Sequence, residues 1–549
     1  LASRIEVLKG PGSDIYGSNA MHGAVNVLTP SPVMGIRRLR IEAGKDEYYR
    51  ARLSLSTDTL RADFSDTTHG GFQTQSGFDQ QKLLIKHQFQ TYARDVITSV
   101  SFTNLNQETA GFIVGHQLYK DATARKVNPT PEAYRDARSF RLLSEVRQPL
   151  GNGELLTRPY LRNVKMTFLQ HFLPGQAIEE NGHSSAGLQA VWTSKNWNVG
   201  FEAEYTSGYL QETQPNTTTG SPFLVATIPQ GKHYDYNVNA SLVGAFIQYQ
   251  HQLAAELSII AAARFQFTHY DYDNQMLDGR TRDDGTPCTF GGCRFNRPSD
   301  RKDTFSNWSP KLGFVYSANK NFQFYGSLAR GFRAPQATEL YRLQNNQDIS
   351  DIDSVELDSI EFGIRGNTSH LDYNISFFDM NKRNFIFRDT ARQNVDGGET
   401  THRGAELNLS FSFNDRVTTS LAMTWARHEY ANNPALSVFP LNDNEIDTAP
   451  STIGSATIDW KLNKQFSLEL EWVHVGEYFQ DCENQHEYEG HDLLHLRGHW
   501  QLKDAIRLSA RIMNLLDEAY AERADFAFGS DRYFVGTPIS FFVGLNLEI

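Results

Sequence analysis

From residue 36 to its end the chain consists of period-2 segments joined alternately by short turns and long loops. Arg38 to Ala43, Tyr49 to Leu55, Leu60 to Phe64, Trp197 to Tyr205 and Phe466 to Trp472 each alternate apolar with polar side chains, and helical spacing is nearly absent. Short turns fall near 57–59, 92–94, 148–153, 194–196, 252–256, 318–321, 367–370, 414–415, 463–465 and 503–505. Long loops lie between them, at 69–79, 107–137, 173–183, 213–235, 272–303, 332–352, 388–401, 430–450, 479–491 and 515–537. One tight connection, 44–48, takes a long-loop slot. The rhythm predicts about twenty-two strands in up-and-down order, with every short turn at one end. A sandwich or a propeller does not keep that asymmetry over so many hairpins. An outer-membrane barrel does, with short periplasmic turns and long extracellular loops. The fold class read from the pattern is therefore all-β, a transmembrane antiparallel β-barrel of about 22 strands.

Composition alone admits two readings, because a mean hydropathy of -0.49 suits a large soluble all-β protein as well as a barrel with a polar lumen. No run of 18 apolar residues is present, which excludes a transmembrane helix. A net charge of -12 argues against general polyanion binding. The strand faces decide more. Arg50 and Arg52 share one side of their strand, and Tyr49, Ala51, Leu53 and Leu55 the other. An Arg held against the bilayer midplane costs about 2–4 kcal/mol, so the polar set must face the lumen. The same holds for Glu202 and Glu204. A lumen so charged is wet or filled by a polar domain, and a barrel of this strand number has a bore that needs plugging.

Residues 1–35 differ in kind from the rest. They read as strand, Gly10-Pro11 turn, a short turn of helix around Ser13 to Tyr16, and a second strand from Gly23, with Ile5, Val7, Val25 and Val27 alternating as in half-buried strands. The chain opens inside this unit, which reads as the end of a small domain. Thirty residues are too few to fill the bore, so a mostly open barrel is expected.

Four stretches carry a family resemblance. They are Arg4 to Thr29, with Gly10-Pro11 and Tyr16-Gly17-Ser18; Ala329-Arg330-Gly331-Phe332-Arg333-Ala334-Pro335 followed by Glu339-Leu340-Tyr341; Ile360-Glu361-Phe362-Gly363 with Arg403-Gly404-Ala405-Glu406-Leu407; and Asn514-Leu515-Leu516-Asp517 before Tyr520 and the final strand. In this order, the chain resembles the TonB-dependent outer-membrane receptors, energised importers of Gram-negative bacteria. The resemblance implies that 1–35 is the C-terminal part of a plug domain and 36–549 the barrel. It implies active import of a ferric siderophore or similar iron complex, with the TonB-ExbB-ExbD energising complex, the ligand and outer-membrane lipid as partners, a monomer, no cofactor and no bond chemistry. Cobalamin, haem or oligosaccharide import by the same machinery is the alternative; a passive porin or a soluble all-β binding protein is an alternative of another class. The family's TonB box and secretion signal have no counterpart in the chain, so coupling to TonB is not expected of it as it stands. The last residue, Ile549, departs from the family's usual terminal aromatic.

The family pairs a plug Arg with two barrel Glu residues, and by motif position these are Arg4, Glu361 and Glu406. Ligand contacts are expected from the long loops and the plug apex; in the loops, Phe112, His116, Tyr119, Tyr234 and Tyr236 could stack on or contact a ferric chelate. His269, Tyr270 and Tyr272 sit near a strand end and read as a membrane-interface girdle. Cys288 and Cys293 bracket four residues, as a loop disulfide or as two thiols. Asp271, Asp273, Asp278, Asp283 and Asp284 read as an acidic solvated loop, with calcium as the sharper alternative. In His486-Glu487-Tyr488-Glu489-Gly490-His491 the second His falls one position too late for a zinc-protease pair. No nucleophile triad or phosphate-cradling loop stands out, and no resident metal is expected.

Overall fold

A computed structural model describes residues 2–344, 347, 352–388, 394–434, 437 and 439–548. Parts of the loops read at 332–352, 388–401 and 430–450 lie outside these described residues, as does Ile549.

Twenty-two antiparallel strands close into one barrel. Ser540–Glu548 pairs with Ile506–Met513 on one side and with Ile36–Gly44 on the other, where Leu545 faces Ile41, so the sheet has no free edge. Each short turn stands where the pattern placed it: for example, Tyr48–Ser56 passes to Leu60–His69 and Phe78–Thr91 to Arg94–Glu108. The connection at 388–401 is shorter than read, because Leu371–Arg388 and Asn394–Asn414 stay paired up to Arg388 and Asn394.

The outer face carries the membrane. Trp197, Tyr316, Phe413, Trp460 and Trp500 are exposed near the short-turn ends of their strands, and Tyr49, Tyr205, Trp308 and Trp425 lie farther up. Beyond them the outer face turns ionic. Lys302 lies 3.5 Å from Asp271, and Arg383 pairs with Glu356 and Asp358. The strand Gly231–Gln252 has 22 residues. At about 3.4 Å each it runs far past an apolar band about 25 Å tall. Long strands thus project beyond the membrane at the long-loop end.

The lumen is a ladder of paired charge. Arg61 Nε donates to Asp63 at 2.6 Å, Arg40 to Glu42 at 2.7 Å, and Arg497 reaches both Glu469 and Glu471. Above the barrel the loops pack into apolar cores, of which two are rich in tyrosine. One gathers Tyr234, Tyr236, Tyr272, Tyr341 and the Cys288–Cys293 pair; the other gathers Tyr119, Tyr478, Tyr488 and Tyr533.

The N-terminal hairpin forms a separate sheet inside. Arg4–Lys9 pairs with Gly23–Leu28, with Val7 opposite Val25, and the helix Ser13–Tyr16 lies between them. The alternation sets the pairing but not the burial. Ile5, Val7, Val25 and Val27 are all more than half exposed, because the wall covers neither face of the pair.

Candidate functional site

The tip of the hairpin is the part held by the barrel. Phe332, at the upper end of the strand Phe322–Arg333, is fully buried beneath it. Its N–H donates to Ser13 Oγ at 3.3 Å, and its carbonyl accepts from the Asn19 N–H at 3.1 Å. The Ala334 N–H donates to Ser18 Oγ at 3.3 Å. On the neighbouring strands, Arg264 Nη1 donates to the Ile15 carbonyl at 3.3 Å, Gln266 Oε1 accepts from the Ser18 N–H at 3.3 Å, and Lys311 Nζ donates to the Pro11 carbonyl at 3.4 Å. Arg264 is in turn paired with Glu202. Gly17 has φ +76°, and a Cβ there would lie 2.8 Å from the Arg264 guanidinium, so a glycine is required on both counts. Met21 completes the contact in an apolar cluster with Val355, Leu357 and Met380.

One carboxylate sits inside this seat. Asp14 is 3% exposed and 3.9 Å from Lys311, with Oδ2 lacking a hydrogen-bond partner. Burial pushes its carboxyl above the usual range, and Lys311 and Arg264 offset only part of that.

The segment after Phe332 is itself braced. Past Pro335 the chain enters the helix Ala337–Tyr341 through a reciprocal cap between Gln336 and Glu339. Arg333 grips the Glu339 carboxylate with two bonds, at 2.8 and 3.0 Å. Strand end, bend and helix are thus fixed together next to the point, Phe332 and Ala334, on which the hairpin tip rests.

The expected charge pair is filled by a different cation. Arg4 is exposed and pairs with Glu6 on its own strand. Lys9 Nζ instead donates to Glu406 Oε2 at 2.6 Å, and Glu361 lies beside Gly10, 3.1 Å from where a Cβ would stand. Five residue steps of extended strand separate Arg4 from Lys9, about 16 Å, which takes the arginine away from the carboxylates that Lys9 meets. The signal for Lys9 was its place directly before the Gly10-Pro11 turn, the point at which the hairpin meets the barrel.

The loop aromatics divide between the two loop cores. Tyr234 and Tyr236 are 4% and 3% exposed; Tyr234 donates to the Leu343 carbonyl, and Tyr236 packs against Tyr272 and Tyr341. Arg342 bridges Glu179 and Glu212 beside them. Burial works against its charge, but Glu212 and Glu179 outweigh that and raise its pKa. Tyr119 is 2% exposed and donates to Glu489 at 3.1 Å. Phe112 is half-buried under the Arg532 guanidinium, and His116 is exposed with Nδ1 3.1 Å from Asp531. Of the five expected contacts, His116 alone stands open to solvent. Nor do Tyr270 and Tyr272 form a girdle. Both face inward with Arg264 and Gln266, Tyr272 stacking on Tyr341 at 4.3 Å, and only His269 is on the outer face, beside Thr304.

Cys288 and Cys293 are disulfide-bonded. The acidic loop is dispersed: Asp283 accepts from the Lys232 N–H, Asp284 caps Thr286, and Asp278 accepts from Asn274. His486 stacks on Phe526 and bonds Asp481, whereas His491 turns to Tyr488. Among the described residues no three His, Cys, Asp or Glu side chains gather as a metal site.

A family model described as "TonB dependent receptor-like, beta-barrel" matches residues 37–515. The fold is similar to the siderophore receptor PiuA from Acinetobacter baumannii, with a TM-score of 0.80 at 13% identity, covering 100% of this chain and 86% of that one. It is similar as well to the ferric yersiniabactin uptake receptor FyuA from Yersinia pestis, at 0.79 and 14%, covering 99% and 85%. The copper transporter OprC matches at 0.75 and 13%, covering 99% and 86%.

Proposed function

The chain belongs to the TonB dependent receptor-like β-barrel family of the Gram-negative outer membrane, and on that premise we propose that it imports a ferric siderophore or a similar iron complex, driven by the TonB-ExbB-ExbD complex. The residues of the chain bind and gate. Ligand docks from the long-loop side onto the hairpin tip, and a pull transmitted through the plug, of which residues 1–35 are the C-terminal part, frees a path along the wall.

The observation that carries this reading is the seat at Phe332. A hairpin held by a ring of hydrogen bonds between side chains and backbone inside a wide charged bore is a stopper with a defined release point, which a passive porin does not need. Two of the solved structures of similar fold are described as a siderophore receptor, PiuA, and a ferric yersiniabactin uptake receptor, FyuA, which supports the substrate class, while OprC is described as a copper transporter.

The test is uptake of radioactive iron by a strain lacking this receptor, complemented with the full-length protein and supplied with a panel of ferric chelates. The expected result is accumulation of at least one chelate that needs both the receptor and TonB. Accumulation indifferent to TonB, or loss on deletion of a non-iron substrate alone, overturns the proposal.

A further inference from the structure

Cations stand on the outer face of the barrel where its apolar belt ends, and two of them have no carboxylate. On the strand Tyr134–Leu150 the outward positions run from Leu150 through Val146 and Leu142 to Phe140, and the next is Arg138. The twelve residue steps from Leu150 to Arg138, on a strand tilted by about 45°, rise about 28 Å, which sets Arg138 just past an apolar band about 25 Å tall. Lys165 faces Arg138 directly on the neighbouring strand Gly153–Leu169, and both residues are exposed. The outward cations Lys302, Arg330, Arg383, Arg403 and Arg427 each pair with a carboxylate. Arg138 instead donates from Nε to Asn104 Oδ1 at 3.1 Å, and among the described residues neither it nor Lys165 forms an ion pair. Like charges directly opposite each other on adjacent strands repel, and an anion between them would remove that cost.

The rows above and below the two cations select the anion. On the membrane side Phe102 faces Phe140 in register, and both rings are exposed to lipid. On the water side stand Asp136, opposite Thr167, and Glu180 on the next strand, both exposed. An anion arriving from water meets these carboxylates first. One carried at the head of acyl chains reaches Arg138 and Lys165 from below, past the two phenylalanines. A further donor stands beside Lys165. Gly182 lies opposite Lys165, and Tyr209 opposite Gly182. A Cβ on Gly182 would lie 2.9 Å from Tyr209 Cε1 and 3.2 Å from its hydroxyl, so the ring crosses the glycine and brings the hydroxyl next to the lysine's strand.

We propose that Arg138 and Lys165 bind a phosphate of an acylated lipid in the outer leaflet, with the Tyr209 hydroxyl as a further donor and the acyl chains lying along Phe102 and Phe140. The arginine supplies a planar fork and the lysine a point charge, the two ways side chains hold phosphate. The site needs only the placement of the barrel in its membrane and does not rest on the import reading. The strands Arg94–Glu108 and Tyr134–Leu150 flank the loop between them, so a lipid bound here braces the base of that loop.

The test is titration of the delipidated full-length receptor in neutral detergent, with bound lipid counted by native mass spectrometry. The probes are an acylated glucosamine disaccharide carrying two phosphates, the same glycolipid stripped of phosphate, and inorganic phosphate as competitor. Wild type is expected to retain the phosphorylated lipid and to lose the stripped one. Arg138→Gln with Lys165→Gln should weaken retention about tenfold or more, Arg138→Lys alone should stay within about threefold of wild type, and Lys302→Gln, which removes a paired cation, should leave it unchanged. Heat-modifiable gel mobility checks that each variant is folded. Equal retention by wild type and the double variant, or equal retention of the phosphorylated and stripped lipids, overturns the site. Displacement of the lipid by inorganic phosphate at equal concentration would assign the two cations to a soluble anion and overturn the lipid as occupant.

Discussion

Residues 10–22 of the N-terminal hairpin are packed on the barrel by buried groups, whereas the strands on either side of them bury little against the wall. In the tip, Ser13 and Asp14 are 0% and 3% exposed, and backbone groups of Pro11, Ile15, Ser18 and Asn19 bond the wall. All six residues of Arg4–Lys9 are exposed, and among the described residues their one ion pair to the wall is Lys9 to Glu406. Burial makes the difference matter. A hydrogen bond or charge removed from water cannot be exchanged for one to water without loss, while an exposed ion pair trades places with solvent at little cost. Retention of the hairpin should therefore reside in its tip, and the charges on its strands should adjust it only slightly.

The strongest way to break this contrast is Arg264→Ala. The guanidinium is 1% exposed on its side chain, and it holds both the Ile15 carbonyl and Glu202. Its loss strands both partners, at a cost of about 3 kcal/mol. Amide exchange at Gly12, Gly17 and Asn19, whose N–H groups are bonded within the tip or to Phe332, should speed up about a hundredfold in the full-length receptor. Exchange in the barrel strands should hardly change. Equal rates in wild type and variant would show that the seat does not retain the hairpin.

Asp14 sharpens the contrast through pH. Its carboxyl is raised in the seat by burial, so the seated state holds its proton more tightly than the released state. Seating is then favoured below the ordinary carboxylate value and weakens as pH rises through the raised one. Exchange of the tip amides, corrected for its intrinsic pH dependence, should be better protected at pH 4 than at pH 7. Asp14→Asn should abolish that difference and leave the low-pH protection in place. A variant that keeps the wild-type pH profile would place the titrating group elsewhere.

The barrel was legible because side-chain alternation and turn length are local properties: every short turn, from 57–59 to 503–505, could be read from its own few residues. Face assignments followed from the cost of charge in lipid, and Arg52 beside Asp63 in the lumen agrees with them. The site was less legible because it depends on which strands the closed sheet brings together. The shared face of Arg264, Gln266, Tyr270 and Tyr272 was present in the alternation, and it would have turned Tyr272 inward had the strand been followed from Arg264. The meeting of Pro11, Ile15 and Ser18 with Lys311, Arg264 and Gln266 joins residues 248 to 300 positions apart and left no local trace. Loop tyrosines such as Tyr119 and Tyr234 were expected at a ligand, but long loops must build cores of their own to stand above a membrane, and aromatic side chains are what fill those cores.

The smallest effect, and the one that separates the family's charge pairing from the geometry of this chain, belongs to Lys9. Its side chain is 49% exposed and that of Glu406 21% exposed, so the pair is partly open to solvent and is worth about 0.2–1 kcal/mol. Lys9→Ala should accelerate exchange of the hairpin amides by no more than about fivefold, and by less at high salt, where screening has already weakened the pair. Arg4→Ala should have no effect on those amides, since Arg4 bonds Glu6 rather than the wall. Glu406→Ala should reproduce Lys9→Ala, and the double variant should be no worse than either single one, because a pair can be broken only once. A large Arg4→Ala effect, or additivity of Lys9→Ala with Glu406→Ala, would return the retaining force to the strands and reverse the contrast between strand and tip.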